Sequence, residues 1–182
     1  MNNPQTQSEI LMPFTPLHMG PGMAVKAIAQ DKFSLIIFGW AQILVDLQPL
    51  VVIITQEGQI HGLTHTFVGG AVIGVAAAAS GKPMAEALLN LFRKKEKPRI
   101  QISWKIAWWS GLVGGLSHVL LDALIYPDMS PFWPFVKGNS MNVFTSRGIT
   151  AFCIYSGLAG LLVYFVWRAV ERLSRQNSIN PS

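Results

Sequence analysis

The sequence predicts an all-α fold: a polytopic membrane helical bundle of four transmembrane helices plus a buried N-terminal half-helix. Three observations carry that expectation. Of 182 residues, 51% are hydrophobic and only 13% are charged, giving a mean hydropathy of +0.38. The apolar residues come in runs close to the roughly 20 residues that a spanning helix needs. The basic residues are segregated between those runs instead of being scattered. The length suits one compact domain better than two.

Residues 1–13 are polar and are expected to form a disordered tail, residues 14–168 the membrane helical domain, and residues 169–182 a cytoplasmic tail. From Phe14 to Gln30 the chain is apolar but broken by Pro16 and by Gly20-Pro21-Gly22. Proline fits the first turn of a helix better than its interior, so a short helix is expected from Pro21 to about Gln30. Ten residues rise only about 15 Å, too little to cross a bilayer. This half-helix must therefore be covered by protein or line a watery cavity.

Four longer runs follow, at residues 33–55, 61–80, 104–126 and 149–167. Pro49 lies within the first, where it frees the carbonyl of Val45 and predicts a kink. Gly70-x-x-x-Gly74 and Gly111-x-x-x-Gly115 are small-residue spacings that let helices approach closely. They lack the strand and lysine of a phosphate-cradling loop. Trp104, Trp108 and Trp109 cluster at one end of the third run, as an interfacial aromatic belt does. Cys153 is the only cysteine, so no disulfide forms within one chain. The first ten residues show neither the basic start nor the apolar core of a cleavable signal peptide.

Twelve of the fourteen lysines and arginines fall in three places. Lys26 and Lys32 precede the first run. Lys82, Arg93, Lys94, Lys95, Lys97, Arg99 and Lys105 lie from the end of the second run to the start of the third. Arg168, Arg172 and Arg175 follow the fourth. Only Lys137 and Arg147 lie on the other side. The positive-inside rule then puts residues 82–105 and the C-terminus in the cytoplasm and residues 127–148 outside. The net charge of +5 reports cytoplasmic loops, and no nucleic-acid partner is expected. Membrane lipids are the expected partners, and a homo-oligomer is compatible with the sequence. The charged run at 92–99 reads most simply as a solvated cytoplasmic face.

Six ionisable groups of metal-ligand type break the apolar pattern: His18, Asp46, His61, His65, His118 and Asp122. Charged or ionisable groups at bilayer depth cost several kcal/mol each, so they usually mark function. Helix rise fixes their depths. Asp46 lies about 20 Å along the first span, His61 at the outer mouth of the second with His65 about 6 Å deeper, and His118 and Asp122 about 21 and 27 Å along the third. Five groups from three helices thus reach the outer third of a core roughly 30 Å thick. His61/His65 and His118/Asp122 are both i, i+4 pairs, which on a helix face the same way. Imidazole with carboxylate suits a divalent transition metal, zinc first, better than calcium or magnesium. His18 joins only if the half-helix approaches from outside, and Asp128 reads as a loop turn residue.

At these motifs the chain resembles the membrane-bound metal-dependent hydrolase family of bacterial inner-membrane proteins, the YdjM-like group. GGLSHVLLDALIYPDMSPFWPF (residues 114–135) is similar to that family's His-x-x-x-Asp helix and Trp-Pro-Phe turn, HGLTHTFVGG (residues 61–70) to its His-x-x-x-His segment, and His18 to its N-terminal histidine. Two positions depart from the pattern: Gly62 stands where the family often has arginine, and Gln48 replaces the second acid of Pro-Asp-x-Asp. The resemblance implies the bacterial inner membrane and metal-dependent hydrolysis. Together with the depth of the polar groups, it points to hydrolysis of a phosphoester or acyl ester on a lipid or lipid-linked substrate through a metal-activated water. The alternatives are a non-catalytic protein that binds or conducts a metal ion or proton, and a bundle using His–Asp hydrogen bonds as glue.

The charge pattern makes a topological prediction. Cysteine labelling in intact cells should find residue 95 protected inside and residue 137 accessible outside; the reverse would remove the depth argument along with the topology.

Overall fold

The computed structural model describes residues 16–94 and 96–179, so the tail expected at 1–13 lies outside the described residues. Five α-helices and no strand are present among them: α1 (Met19–Ala29), α2 (Leu35–Thr55), α3 (Phe67–Leu91), α4 (Trp104–Ala123) and α5 (Ser146–Ile179). Short 3-10 turns at Pro16–His18, Gln30–Lys32 and Leu63–His65 join or precede them.

The expected half-helix is α1, eleven residues long with Pro21 in its first turn. Lys26 ties the helix to the turn that follows it: its Nζ donates to Gln30 O (2.6 Å) and Phe33 O (2.8 Å). The helix packs chiefly against α5, with Gly20 against the Cys153 carbonyl and Gly160 against Ala24. Asp31, just past α1, meets Arg168 at 3.4 Å. The half-helix therefore begins at His18 beside the polar cluster and ends near Lys26, Lys32 and Arg168, so its two ends lie at different levels of the bundle.

Three helices are long and apolar enough to cross a membrane: Leu35–Thr55, Phe67–Leu91 and Ser146–Gln176. The expectation of four is met in length but not in composition. α4 has 20 residues, yet Lys105, Ser110, Ser117, His118 and Asp122 dilute its apolar character. Burial gives the physical reason. Half of α4, including Ser110, His118 and Asp122, is buried against its neighbours, so those positions do not face lipid and need not be aliphatic.

Glycine sets the helix spacing. A Cβ on Gly111 would stand 2.3 Å from the Gly74 carbonyl oxygen, and one on Gly115 would stand 2.1 Å from that of Gly70. The two glycine pairs read from the sequence thus face each other across the α3–α4 contact. On an adjoining face of α4, Gly114 lies against the Phe38 backbone of α2, and Ser110 Oγ accepts from Ser34 N at 2.9 Å. At the basic end Trp104 and Trp108 stack at 5.6 Å, with the Lys82 ammonium 5.2 Å from the Trp104 ring.

Two boundaries differ from expectation. The second span begins at Phe67, not His61, because Thr66 caps it by accepting from Gly69 N at 2.9 Å, which leaves 61–66 irregular. It also runs on past Lys82, whose charge is met by Glu86 at 2.6 Å one turn later. The last helix continues to Ile179, well beyond residue 167.

Overpacking a close-packed contact costs about 1–3 kcal/mol, and more where backbone is struck. Gly111→Val should therefore lower the thermal unfolding midpoint in detergent by several degrees or abolish folding. Gly148→Ala should leave it unchanged, since its Cβ would meet nothing nearer than Thr145 Oγ1 at 3.4 Å.

Candidate metal centre

Four elements converge at one end of the bundle. His18 comes from the turn before α1, Asp46 from α2, His65 from the turn before α3, and His118 and Asp122 from consecutive turns of α4. All five are buried. His118 Nε2 lies 3.1 Å from both Asp46 Oδ1 and Asp122 Oδ2. His65 Nε2 is 3.4 Å from Asp122 Oδ2 and 4.0 Å from Asp46 Oδ1. His18 Nε2 is 3.6 Å from Asp122 Oδ1, and its ring meets His118 edge-on at 4.9 Å.

The surrounding hydrogen bonds fix which nitrogen of each ring carries a proton. Gln42 Nε2 donates to Gly114 O at 3.1 Å, which aims Gln42 Oε1 at His118 Nδ1, 2.6 Å away. An amide oxygen only accepts, so Nδ1 holds a proton, and in the neutral ring that metal binding requires Nε2 keeps a lone pair. His65 is set through a relay. Thr64 N donates to Gln48 Oε1 at 3.0 Å and the Thr64 hydroxyl donates to the same oxygen at 2.8 Å. That hydroxyl can then only accept from His65 Nδ1, at 3.0 Å, which leaves a lone pair on His65 Nε2. Two imidazole lone pairs thus point at two carboxylates.

Acceptors facing acceptors repel strongly in a low-dielectric interior unless a cation lies among them. His118 Nε2 is fully buried and faces two carboxylate oxygens, each 3.1 Å away, a setting that suits a ligand atom when the ring is neutral. Two overlapping sets, His18–His118–Asp122 and Asp46–His65–His118, each bring three ligand atoms within 4.8 Å of one another. The buried His/Asp group could hold a metal ion, and its nitrogen and oxygen donors fit a divalent transition metal. Outer partners that orient an imidazole, as Gln42 orients His118 and Thr64 orients His65, are a regular part of metal sites.

His61 stands apart. It is not one helical turn from His65, because residues 61–66 are not α-helical; its ring still touches that of His65, with centroids 5.2 Å apart. Its Nδ1 pairs with Asp128 Oδ2 at 2.8 Å, and its ring lies 4.3 Å from that of Tyr126. Asp128, read from the sequence as a turn residue, is thus the partner of His61 at the rim. That hydrogen bond from His61 holds the Asp128 carboxyl below the usual carboxylate range. A depressed carboxylate pKa stabilises the fold above the unfolded value of about 3.9, and the contribution is lost as pH falls through the lower folded value.

Sequence reasoning about ionisable groups missed Gln42, Gln48 and Thr64. The available signal was an uncharged one: Gln42 sits one turn before Asp46 in an otherwise apolar helix. A cleft of about 10 Å³, room for about one water, reaches the cluster between the end of α4 and the start of α5, lined by Leu17, His18, Asp122, Tyr126, Ser146 and Thr150 among others.

The fold and the site define an integral membrane protein of α-helices with a buried histidine–aspartate cluster at one end. The chain matches the YdjM inner membrane protein family over residues 18–177 and belongs to that family, an assignment that puts it in the inner membrane. No curated protein and no solved structure matches it.

Gln42→Leu keeps the volume of the side chain and removes the acceptor that fixes His118. Metal affinity, read by chelator competition on purified protein, should fall about 10–100-fold, the usual cost of losing such a partner, with helix content unchanged.

Proposed function

We propose that the protein is a membrane-embedded metal-dependent hydrolase acting on a phosphoester or acyl ester of a lipid or lipid-linked substrate. In this reading α4 is a fourth spanning helix, shielded from lipid by α2 and α3, and the cluster lies in the outer third of the bilayer. The observation that carries the proposal is the pair of imidazoles, His65 and His118, whose tautomers are fixed so that both Nε2 lone pairs face Asp46 and Asp122.

Asp46, His65, His118 and Asp122 would hold the metal, zinc first among the candidates, and His18 would complete the set from the far side of Asp122. A divalent transition metal supplies Lewis acidity and a water activated near neutral pH. Asp46 and Asp122 offset its charge, and the burial of all five groups keeps bulk water from competing for the site. His61, at the rim and oriented by Asp128, is placed outside the ligand set in this reading. The cleft beside His18 and Asp122 offers an approach for a reacting oxygen, and a site at headgroup depth favours an ester carried by a lipid.

Asp122→Asn retains size and removes the charge. It should insert and fold normally, lose metal at least about 10–100-fold by elemental analysis, and lose hydrolysis of phosphodiester and acyl-ester lipid probes. Metal retained at the wild-type level would remove Asp122 from the centre. Metal lost from the variant, with no ester hydrolysis by the loaded wild-type protein, would leave a binding or conducting site in place of an enzyme.

A further inference from the structure

The segment joining α3 to α4 carries the densest positive charge in the chain, and it is pinned. Asn90 Nδ2 donates to Ile100 O at 2.9 Å while Asn90 Oδ1 accepts from Ile100 N at 2.9 Å, so one side chain pairs with that residue as a neighbouring strand would. Glu86 Oε1 accepts from Ile102 N at 2.7 Å, and Arg93 Nε donates to Pro98 O at 2.8 Å. These bonds hold a groove of about 620 Å³ with Ala87 and Leu91 in its wall and Arg93, Lys94, Lys97 and Arg99 around it. No carboxylate lines it. Among the described residues none of those four cations is in an ion pair, whereas Lys82, Arg168 and Arg175 all are.

We propose that this groove is a binding site for the phosphate of an anionic phospholipid in the inner leaflet. Charge alone would suit many anions, and the surroundings select among them. The apolar wall continues into exposed Leu88, Leu91 and Phe92, the last 89% exposed, a surface that suits acyl chain and not water. The stacked Trp104 and Trp108 at the start of α4 belong at headgroup level. Basic pockets at the cytoplasmic ends of spanning helices bind lipid head groups in this way. A nucleic acid or an acidic peptide would leave Leu91 and Phe92 in water. The site gives Arg93, Lys94, Lys97 and Arg99 a role beyond that of a solvated face, and it lies at the opposite end of the bundle from the histidine–aspartate cluster.

Native mass spectrometry of the purified full chain, titrated with phosphatidylglycerol or phosphatidylcholine, tests this. Wild type should retain phosphatidylglycerol in preference to phosphatidylcholine, and millimolar inorganic phosphate should not displace it. The triple variant Lys94→Ala, Lys97→Ala, Arg99→Ala should lose about tenfold in affinity, since each basic residue near the surface adds to anionic-lipid attraction. Asn90→Ala keeps every charge and releases the pinned segment, and should lose severalfold. Equal retention of both lipids, full displacement by phosphate, or an unchanged triple variant would overturn the site. A weakened triple variant beside a folded, unaffected Asn90→Ala would replace it with diffuse charge attraction. The triple variant touches none of the pinning bonds, so an unchanged triple variant overturns the site even if Asn90→Ala does not fold, and the phosphate competition then separates a lipid site from general anion attraction.

Discussion

The backbone-to-backbone contact of α3 with α4 governs where everything else sits. Gly70 and Gly74 lie against Gly115 and Gly111 with no room for a methyl group on either side. Lipid tails are as apolar as leucine, so helices in a bilayer gain little from burying aliphatic surface against each other and rely on close packing instead. Here that packing brings the turn carrying His65 alongside the last turns of α4, where His118 and Asp122 lie. On an adjoining face α4 presents Gly114 to Phe38, and the same close approach puts Gln42 within reach of the Gly114 carbonyl and of His118. Spacing between backbones and orientation of an imidazole are here one constraint.

α2 has a double part in the cluster. It contributes Asp46 directly, and from either side of that residue Gln42 and Gln48 set the tautomers of His118 and, through Thr64, of His65. Gln48 is an amide on the half-buried side of α2, and it gives the Thr64 hydroxyl and backbone an acceptor without adding a negative charge beside Asp46 and Asp122. A uniform charge count fails to separate these roles, because the residues that decide proton placement are neutral.

Much of this was legible beforehand, for identifiable reasons. The convergence of Asp46, His65, His118 and Asp122 follows from helix rise and from the side on which basic residues lie, both regular quantities. The facing glycines could be read for the same reason. The helical spacing expected of His61 and His65 does not hold, because the helix starts later, at Phe67, where Thr66 caps Gly69 N. The bond from His61 to Asp128 joins residues 67 positions apart, and no local spacing encodes it. The composition of α4 likewise makes sense only once its neighbours are known, since burial against protein excuses polar side chains that lipid would not.

The cluster is also divided by packing. Asp46, His65, His118 and Asp122 belong to α2, α3 and α4, which pack on one another, whereas His18 rides on α1, whose main contact is α5. Gly20 of α1 meets Cys153 and Gly157 of α5, and Ala24 of α1 meets Gly160. During synthesis, four of the five groups can therefore be assembled while the last helix is still being made. His18 meets His118 and Asp122 across the cluster, but the helix that carries it is seated mainly by α5, so the fifth group is held in place only once that later helix has packed.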